Sequence, residues 1–170
     1  GTITIAGGTV RAGHAFKYDL LNRSLDRSPL GNTNKTIILN GATLDVNNQD
    51  IRTEFVEVQG AGVGGNGAIV SFSGGGPQSG QNNALRHVTL TGPTTFGGST
   101  RWDVRLNDST GFLKGNGYTL TKVGVNQVNL VSLGDTGLGD IIINDGWFGL
   151  EATSTLGDPT KTLTINPSGT

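Results

Sequence analysis

The chain has 170 residues and a formal net charge of −1, and its 29 glycines and 34% hydrophobic residues supply few bulky side chains for a compact globular core. Its 12 lysines and arginines are dispersed, which argues against nucleic acid as a partner because a phosphate backbone requires a basic stripe. The sequence contains no apolar run that could insert into a bilayer, and no cysteine that could form a disulfide or a thiolate metal site.

Short runs of alternating apolar and polar residues follow one another along the chain, separated by Gly, Asn, Asp and Thr. Period-two alternation of β-branched and aromatic residues is typical of strands, so the sequence predicts an all-β protein. The predicted strands lie at 2–5, 36–39, 43–46, 54–58, 68–72, 87–90, 102–106, 118–122, 127–131, 140–144 and 162–165.

Residues 15–31 are the exception to this pattern. Pro29 marks a stop, and the apolar residues before it follow helical spacing. We therefore expect a short helix or extended loop near residues 15–28, inserted at the side of the fold and packed by Phe16, Leu20, Leu21 and Leu25.

The end of the chain repeats its beginning. Leu30-Gly31, Lys35-Thr36 and Asn40 recur as Leu156-Gly157, Lys161-Thr162 and Asn166, displaced by 156 − 30 = 126 positions. The internal repeat relates residues 2–43 to 140–170. From Gly8 to Leu30 the first copy spans 30 − 8 = 22 positions, whereas from Gly146 to Leu156 the second spans 156 − 146 = 10. A solenoid tolerates such insertions because each rung contacts only its neighbours.

Two all-β architectures fit these runs. An antiparallel sandwich would use Asn-Gly and Asp-Gly hairpin turns, and Asn40-Gly41 and Asp145-Gly146 are of this kind. The corners of a parallel β-helix need the same residues, because they accept positive φ. The high glycine content and the many Thr and Asn residues that could form ladders between rungs favour the β-helix, with residues 1–170 forming one β-solenoid segment.

Residues 115–157 carry a family resemblance. A Leu-Thr-Lys-x-Gly element is followed by a strand of alternating aliphatic residues, a Gly-containing turn and a strand that ends in Gly-x-x-x-Leu. The segment resembles the autotransporter-associated β-strand repeat, also called the passenger-associated transport repeat, although one glycine of the family pattern is missing from residues 124–128. The matching positions are Leu120, Thr121, Lys122, Gly124, Val128, Leu130, Gly137, Ile141, Ile143, Gly146 and Leu150.

This resemblance implies a right-handed parallel β-helix on the outer surface of a bacterium or secreted from it. It supplies no catalytic, cofactor-binding or metal-binding residue. The rest of the chain is similar to segments that accompany such repeats in large bacterial surface proteins. We therefore expect a structural, non-enzymatic segment of an exported protein.

Two local patterns suggest chemistry on first sight. Gly60, Gly62 and Gly65 form a G-x-G-x-x-G pattern after a predicted strand, but no helix pattern and no acidic residue follow, as a dinucleotide site would require. We interpret this segment as a tight corner. The two histidines, His14 and His87, have no cysteine or second histidine nearby, and we expect His87 to be exposed or stacked between rungs.

Carboxylates provide the remaining candidates. The strand at 101–106 places Trp102 inside and an Arg-Asp-Arg row outside, where Asp103 is flanked by its own counterions. A glycosidase needs two facing carboxylates, and Asp45, Glu57 and Asp103 would qualify only if the rungs stacked them. A Ca²⁺ site is suggested by the acidic residues around the Gly-Asp turns, but their spacing of five differs from the nine-residue calcium repeat, which favours solvated turns. These residues are Asp135, Asp140 and Asp145.

The functional hypothesis is an extended stalk or a filament-forming unit, with an adhesin that binds a carbohydrate or host surface as the first alternative. A β-helical polysaccharide lyase or glycoside hydrolase is the second. An adhesin should show an exposed aromatic strip, and an enzyme a groove with clustered carboxylates. We expect self-association through terminal rungs or tandem copies, a possible surface polysaccharide partner, and no cofactor. The predicted interior residues are Val46, Val58, Ile69, Val88, Val104, Leu120, Leu130, Ile141, Ile143, Leu163 and Ile165.

Overall fold

The computed structural model describes residues 1–14, 28–31, 35–106 and 110–170, apart from the side chains of residues 81–83. Within these ranges the chain forms fourteen β strands and one three-residue 3-10 helix, Val63–Gly65. The all-β prediction is therefore confirmed. The strands are β1 (Ile3–Ile5), β2 (Gly8–Arg11), β3 (Lys35–Ile38), β4 (Ala42–Asp45), β5 (Phe55–Gly60), β6 (Ile69–Val70), β7 (Gly80–Leu85), β8 (His87–Phe96), β9 (Arg101–Arg105), β10 (Phe112–Lys114), β11 (Leu120–Lys122), β12 (Gln127–Val131), β13 (Ile141–Glu151) and β14 (Leu163–Gly169).

The strands stack in three parallel columns. The first column contains β1, β3, β5, the first part of β8, and β10. The second contains β2, β4, β6, the end of β8, β11, the start of β13, and β14. The third contains β7, β9, β12 and the end of β13.

The chain visits these columns in a repeating order, and β8 and β13 each run from one column into the next, so the sheet curls. Every pairing between these strands is parallel, which is not the pattern of an antiparallel sandwich. The result is an all-β fold built on a curled parallel sheet. Among the described residues no helix has the length and hydropathy to span a membrane.

The interior is built from aliphatic residues in register on successive strands. In the first column, Val56 lies opposite Val88, and Val88 lies opposite Leu113. All three are buried because period-two alternation turns them to the same face of the curled sheet. Phe96 and Trp102 pack edge to face at 4.9 Å and fill the bend beyond β8, which confirms that Trp102 is internal.

Nine of the eleven predicted interior residues are buried, from Val46 to Ile143 along the chain. The prediction is wrong for Leu163 and Ile165, which are 41% and 55% exposed. Both lie in β14, which pairs with β13 on one side, and no other strand in the described part of the chain covers its second side. Alternation identified the strand correctly but could not show whether a further rung lies over it.

The two copies of the sequence repeat occupy different columns. Residues 35–38 form β3 in the first column, whereas the matching residues 161–164 lead into β14 in the second. Gly8 and Gly146 both have a φ of 68°, so each copy places a glycine with positive φ at this position. The resemblance is therefore one of sequence and local geometry and not of position in the stack.

Glycine is required at the corner between the second and third columns. Gly124 and Gly146 both have positive φ, and a Cβ on Gly146 would collide with the backbone oxygen of Gly124 in the rung below. A Cβ on Gly124 would collide in the same way with the backbone oxygen of Gly98. This close stacking explains why the Lys-x-Gly element of the sequence ends in glycine.

The predicted insertion at 15–28 lies outside the described residues, except for Ser28. Its four packing residues, Phe16, Leu20, Leu21 and Leu25, lie outside them as well. The G-x-G-x-x-G segment is described, and it forms the turn between β5 and β6. Its glycines have positive φ, and a bridge joins Gly62 to Gly67, so the interpretation as a tight corner is confirmed.

Candidate functional site

The outer face of the first column carries a row of aromatic rings. Lys35, Phe55, His87 and Phe112 are direct partners in the strand register, and each is the first residue of its strand. The Phe55 and His87 rings stack in parallel, with centroids 4.2 Å apart and planes 10° apart. The Phe112 ring makes an edge contact with His87 at 5.2 Å and also lies 6.3 Å from the Phe55 ring, tilted by 54°. The rings form a ladder across three rungs.

His87 is buried to 6% exposure although its strand turns it outward. Phe55 covers one face of its ring, Phe112 packs against its edge, and its Nε2 lies 3.3 Å from the hydroxyl of Thr110. The prediction of a histidine stacked between rungs is confirmed. His14 follows β2 and is exposed.

A second, polar row runs beside the aromatic one. Glu57 lies opposite Thr89, and Thr89 lies opposite Lys114, each two positions beyond the aromatic residue of its strand. Lys35 donates a hydrogen bond of 2.8 Å to Glu57, which forms an exposed ion pair. The Lys114 ammonium lies 4.5 Å above the centroid of the Phe112 ring, a cation–π contact.

The two rows enclose a groove of about 380 Å³, lined by Phe55, His87 and Phe112 together with Lys35, Glu57 and Thr89. We call it the aromatic groove. Phe55 is the most exposed of the three rings, at 44%, and Phe112 is partly exposed as well. Sequence reasoning missed the groove since Phe55 and Phe112 were not compared. The available signal was the shared position of Phe, His and Phe as the first residue of three strands.

The outer face of the third column carries ion pairs. Arg101 donates two hydrogen bonds to Asp103, of 3.0 and 2.9 Å, and Arg105 donates a third of 2.9 Å. The Asp103 side chain is fully buried under these two arginines. The predicted arrangement, an aspartate flanked by its own counterions, is confirmed.

Glu151 joins this network from another rung. Arg101 also donates to Glu151 at 3.2 Å, and Asn129, which lies opposite Asp103, donates its amide hydrogen to the same carboxylate. The hydrogen bond with Asp103 is the largest effect on Arg101 and raises the pKa of its guanidinium above the ordinary value. We call Arg101, Asp103, Arg105, Asn129 and Glu151 the charged cluster.

The three carboxylates that would have to stack for glycosidase chemistry do not come together. Glu57 lies on the first column and Asp103 on the third. Asp45 lies at the end of β4 in the second column, where Arg11 pairs with it at 2.7 Å. Each carboxylate therefore has its own basic partner instead of a facing carboxylate of that set.

The three acidic residues near the Gly-Asp turns, Asp135, Asp140 and Asp145, each accept a different backbone N–H. Asp135 accepts the backbone N–H of Gly137 at 2.9 Å, and Asp140 accepts that of Thr162 at 2.9 Å. Asp145 accepts the N–H of Gly146 at 2.8 Å. The described residues contain no group of three His, Cys, Asp or Glu side chains arranged to hold a metal ion.

Lys122 is buried at the corner between the second and third columns. Its ammonium donates to three backbone oxygens, those of Val123, Gly124 and Asp145, at 2.8, 2.7 and 3.2 Å. Burial lowers the pKa of Lys122 to about 8, and the nearby negative charge of Asp145 opposes this only in part. The motif lysine thus closes the corner by bonding to carbonyls of two successive rungs.

No protein-family model matches the sequence, and no curated protein or solved structure is significantly similar to it.

Proposed function

We propose that the chain is a structural segment of an exported bacterial surface or extracellular protein, folded as a right-handed parallel β-helix. It would act as an extended stalk or stack head to tail into a filament. The observation that carries this proposal is the exposure of β14. One edge of β14 pairs with β13, and its other edge has no partner strand among the described residues. Leu163 and Ile165 on this strand are exposed. Such an edge is a template for a further parallel strand.

The resemblance to the autotransporter-associated β-strand repeat supports the same proposal. Its Lys-x-Gly element falls on the corner where Lys122 bonds to two rungs and Gly124 packs against Gly98. These are interactions that a stacked coil needs at every turn. A non-enzymatic role is supported by the charged cluster, where both carboxylates are engaged by guanidinium groups.

Light scattering across a concentration series tests the stacking. We expect the mass of the wild-type protein to rise with concentration and the rise to be lost in Ile165→Lys, because a charge on the open face opposes a dry contact. The control is Val125→Lys, which changes an apolar residue of similar exposure, 49% against 55%, at a different place in the fold. A wild-type mass that stays monomeric at every concentration would exclude head-to-tail filaments.

A tandem fusion of two copies tests the stalk. We expect backbone amides of β14 in the first copy to exchange slowly when a second copy follows, and quickly in the single chain. Equal exchange in both proteins would contradict the covalent stacking of rungs.

A second function is favoured by the aromatic groove. An adhesin was expected to show an exposed aromatic strip, and the groove provides an open Phe55 face on a ladder of three rings. We propose that the segment also binds a ligand through this face.

A further inference from the structure

We propose that β14 pairs with β2 of a second copy of this chain as a parallel neighbour, in a register that places Ile165 opposite Val10 and Leu163 opposite Gly8. This inference rests on the proposed head-to-tail stacking and deepens it. It names the two strands, their register and the side chains that meet.

β2 and β14 lie at opposite ends of the second column. Among the described residues β2 pairs only with β4, and β14 pairs only with β13, so each strand has one edge without a partner strand. The two strands point the same way, because every pairing between them in the column is parallel. A second copy placed below the last rung therefore continues the column with β2. β1 belongs to the first column and does not lie below β14.

One row of side chains runs through the whole second column and determines the register. In this row each residue is the direct partner of the next: Val10, Leu44, Ile69, Phe96, Lys122, Ile143 and Ile165. Continuing the row into a second copy places Val10 of that copy below Ile165. Two positions earlier on both strands, Gly8 then lies below Leu163.

The unpaired edge of β14 carries the backbone groups of its two exposed aliphatic residues. Along a strand the N–H and C=O groups of successive residues point alternately to the two edges. The carbonyl of Thr162 accepts the N–H of Ile141 in β13 at 2.9 Å, so Thr162 faces β13. The backbone groups of Leu163 and Ile165 therefore point to the other edge.

The unpaired edge of β2 has the matching phase. Ala12, directly after β2, donates its N–H to the carbonyl of Asp45 in β4 at 2.9 Å, so the backbone groups of Thr9 and Arg11 point to the opposite edge. In the proposed register the Ile165 N–H donates to the carbonyl of Thr9, and the Arg11 N–H donates to the carbonyl of Ile165. A register shifted by one residue would lose both bonds and turn the aliphatic side chains outward.

The side chains that meet in this register are apolar and complementary in size. Leu163 and Ile165 are 41% and 55% exposed in the single chain. Val10 is partly buried against the core, and a Cβ placed on Gly8 would meet no atom within 4 Å. Leu163 can therefore fill the space beside Gly8 while Ile165 packs on Val10. Removing this apolar surface from water favours the contact.

Cysteine cross-linking tests the register, because the chain has no cysteine of its own. Thr9 and Thr164 are both exposed, and the proposed register places them opposite each other. Thr9→Cys/Thr164→Cys should therefore form disulfide-linked dimers and larger species under mild oxidation. The matched control is Thr4→Cys/Thr164→Cys, because Thr4 is exposed on β1 in the first column. The control should remain a single-chain band on a non-reducing gel.

Two lysine variants that each damage one of the two surfaces test the direction of the contact. Ile165→Lys keeps β2 intact and Val10→Lys keeps β14 intact, so each alone should stay monomeric in light scattering. Mixed in equal amounts they should form dimers and nothing larger, because each dimer uses the single intact surface of each variant. Dimers that appear on mixing also show that both variants are folded.

Failure of the register and failure of the stacking give different results. Cross-linking through Thr4, or through neither Thr4 nor Thr9, in a protein whose mass still rises with concentration would overturn the register and leave the stacking. Assembly of Val10→Lys by itself would overturn the register as well, since β14 would then pair with another surface. So would a mixture of the two lysine variants that stays monomeric although urea denaturation shows both to be folded. A wild-type protein that stays monomeric, with no cross-link in either double variant, would overturn both proposals.

Discussion

The outer faces of the first and third columns use the same strand register for opposite purposes. On the third column, Asp103 is surrounded by Arg101 and Arg105, and Glu151 from another rung completes the network. On the first column, the ladder of Phe55, His87 and Phe112 ends on an open ring. The third column pairs its charged groups with one another, whereas the first column leaves part of an aromatic ring exposed to solvent.

This difference shows how a stacked sheet separates stability from recognition. Parallel stacking places like positions beside each other, so a charged residue on one rung can be neutralised only by residues on that rung or its neighbours. The charged cluster meets this demand with a bidentate arginine and an amide. The aromatic groove meets it only in part, through the single exposed pair of Lys35 and Glu57.

Of the changes on the two outer faces, removing Asp103 should lower the free energy of unfolding most. Asp103→Ala removes three hydrogen bonds to a buried carboxylate and leaves the two guanidinium groups with the partly exposed Glu151 as the remaining carboxylate of the charged cluster, so we expect a loss of about 3–5 kcal/mol in the free energy of unfolding. Urea denaturation measures it. Glu57→Ala, which breaks the exposed pair on the other face, should cost at most about 1 kcal/mol. Equal losses in the two variants would contradict the view that only the third column depends on its charges.

The sequence predicted the charged row better than the groove, for a physical reason. Arg101, Asp103 and Arg105 alternate within one strand, so their neighbourhood follows from local period alone. The partners of Phe55 lie on other rungs, and the number of residues between rungs varies with the loops. Register between rungs is a long-range property, which also explains why Glu151 was not predicted beside Asp103 and why the exposure of Ile165 was missed.

The free energy of unfolding should depend on pH through Lys122, at the corner between the second and third columns. The pKa of Lys122 is about 8 in the folded state and about 10.5 in the unfolded state, so the unfolded chain binds more protons between these values. The free energy of unfolding should therefore rise from pH 8 to pH 10.5, by about 3 kcal/mol from this group, and stay constant for it below pH 8. Urea denaturation across this range measures the rise.

Lys122→Met isolates this contribution. The free energy of unfolding of the wild type minus that of the variant should rise by about 3 kcal/mol through the same range, because the wild type alone gains stability there. A difference that is flat with pH would contradict the burial of a charged ammonium at this corner.

The interior and the open last rung should also respond differently to truncation. Val104→Ala removes two methyl groups from a fully buried site on β9 and should cost about 2 kcal/mol through lost burial and a residual cavity. Ile165→Ala removes more atoms from an exposed site and should cost less than about 1 kcal/mol in the monomer. Thermal or urea unfolding at low concentration compares them. A larger cost at Ile165 would indicate that β14 is already covered.

Phe55→Ala should have the smallest effect on stability and sharpens the comparison between the two faces. The ring is 44% exposed, and its removal costs one stacking contact with His87, so we expect a loss of about 1 kcal/mol or less. Phe72→Ala, which changes a similarly exposed ring, should be comparable. If Phe55 is a recognition residue, as the second proposed function requires, its removal should weaken ligand binding far more than it lowers the free energy of unfolding. A large loss of stability would instead make Phe55 a structural partner of His87, as Asp103 is of its arginines.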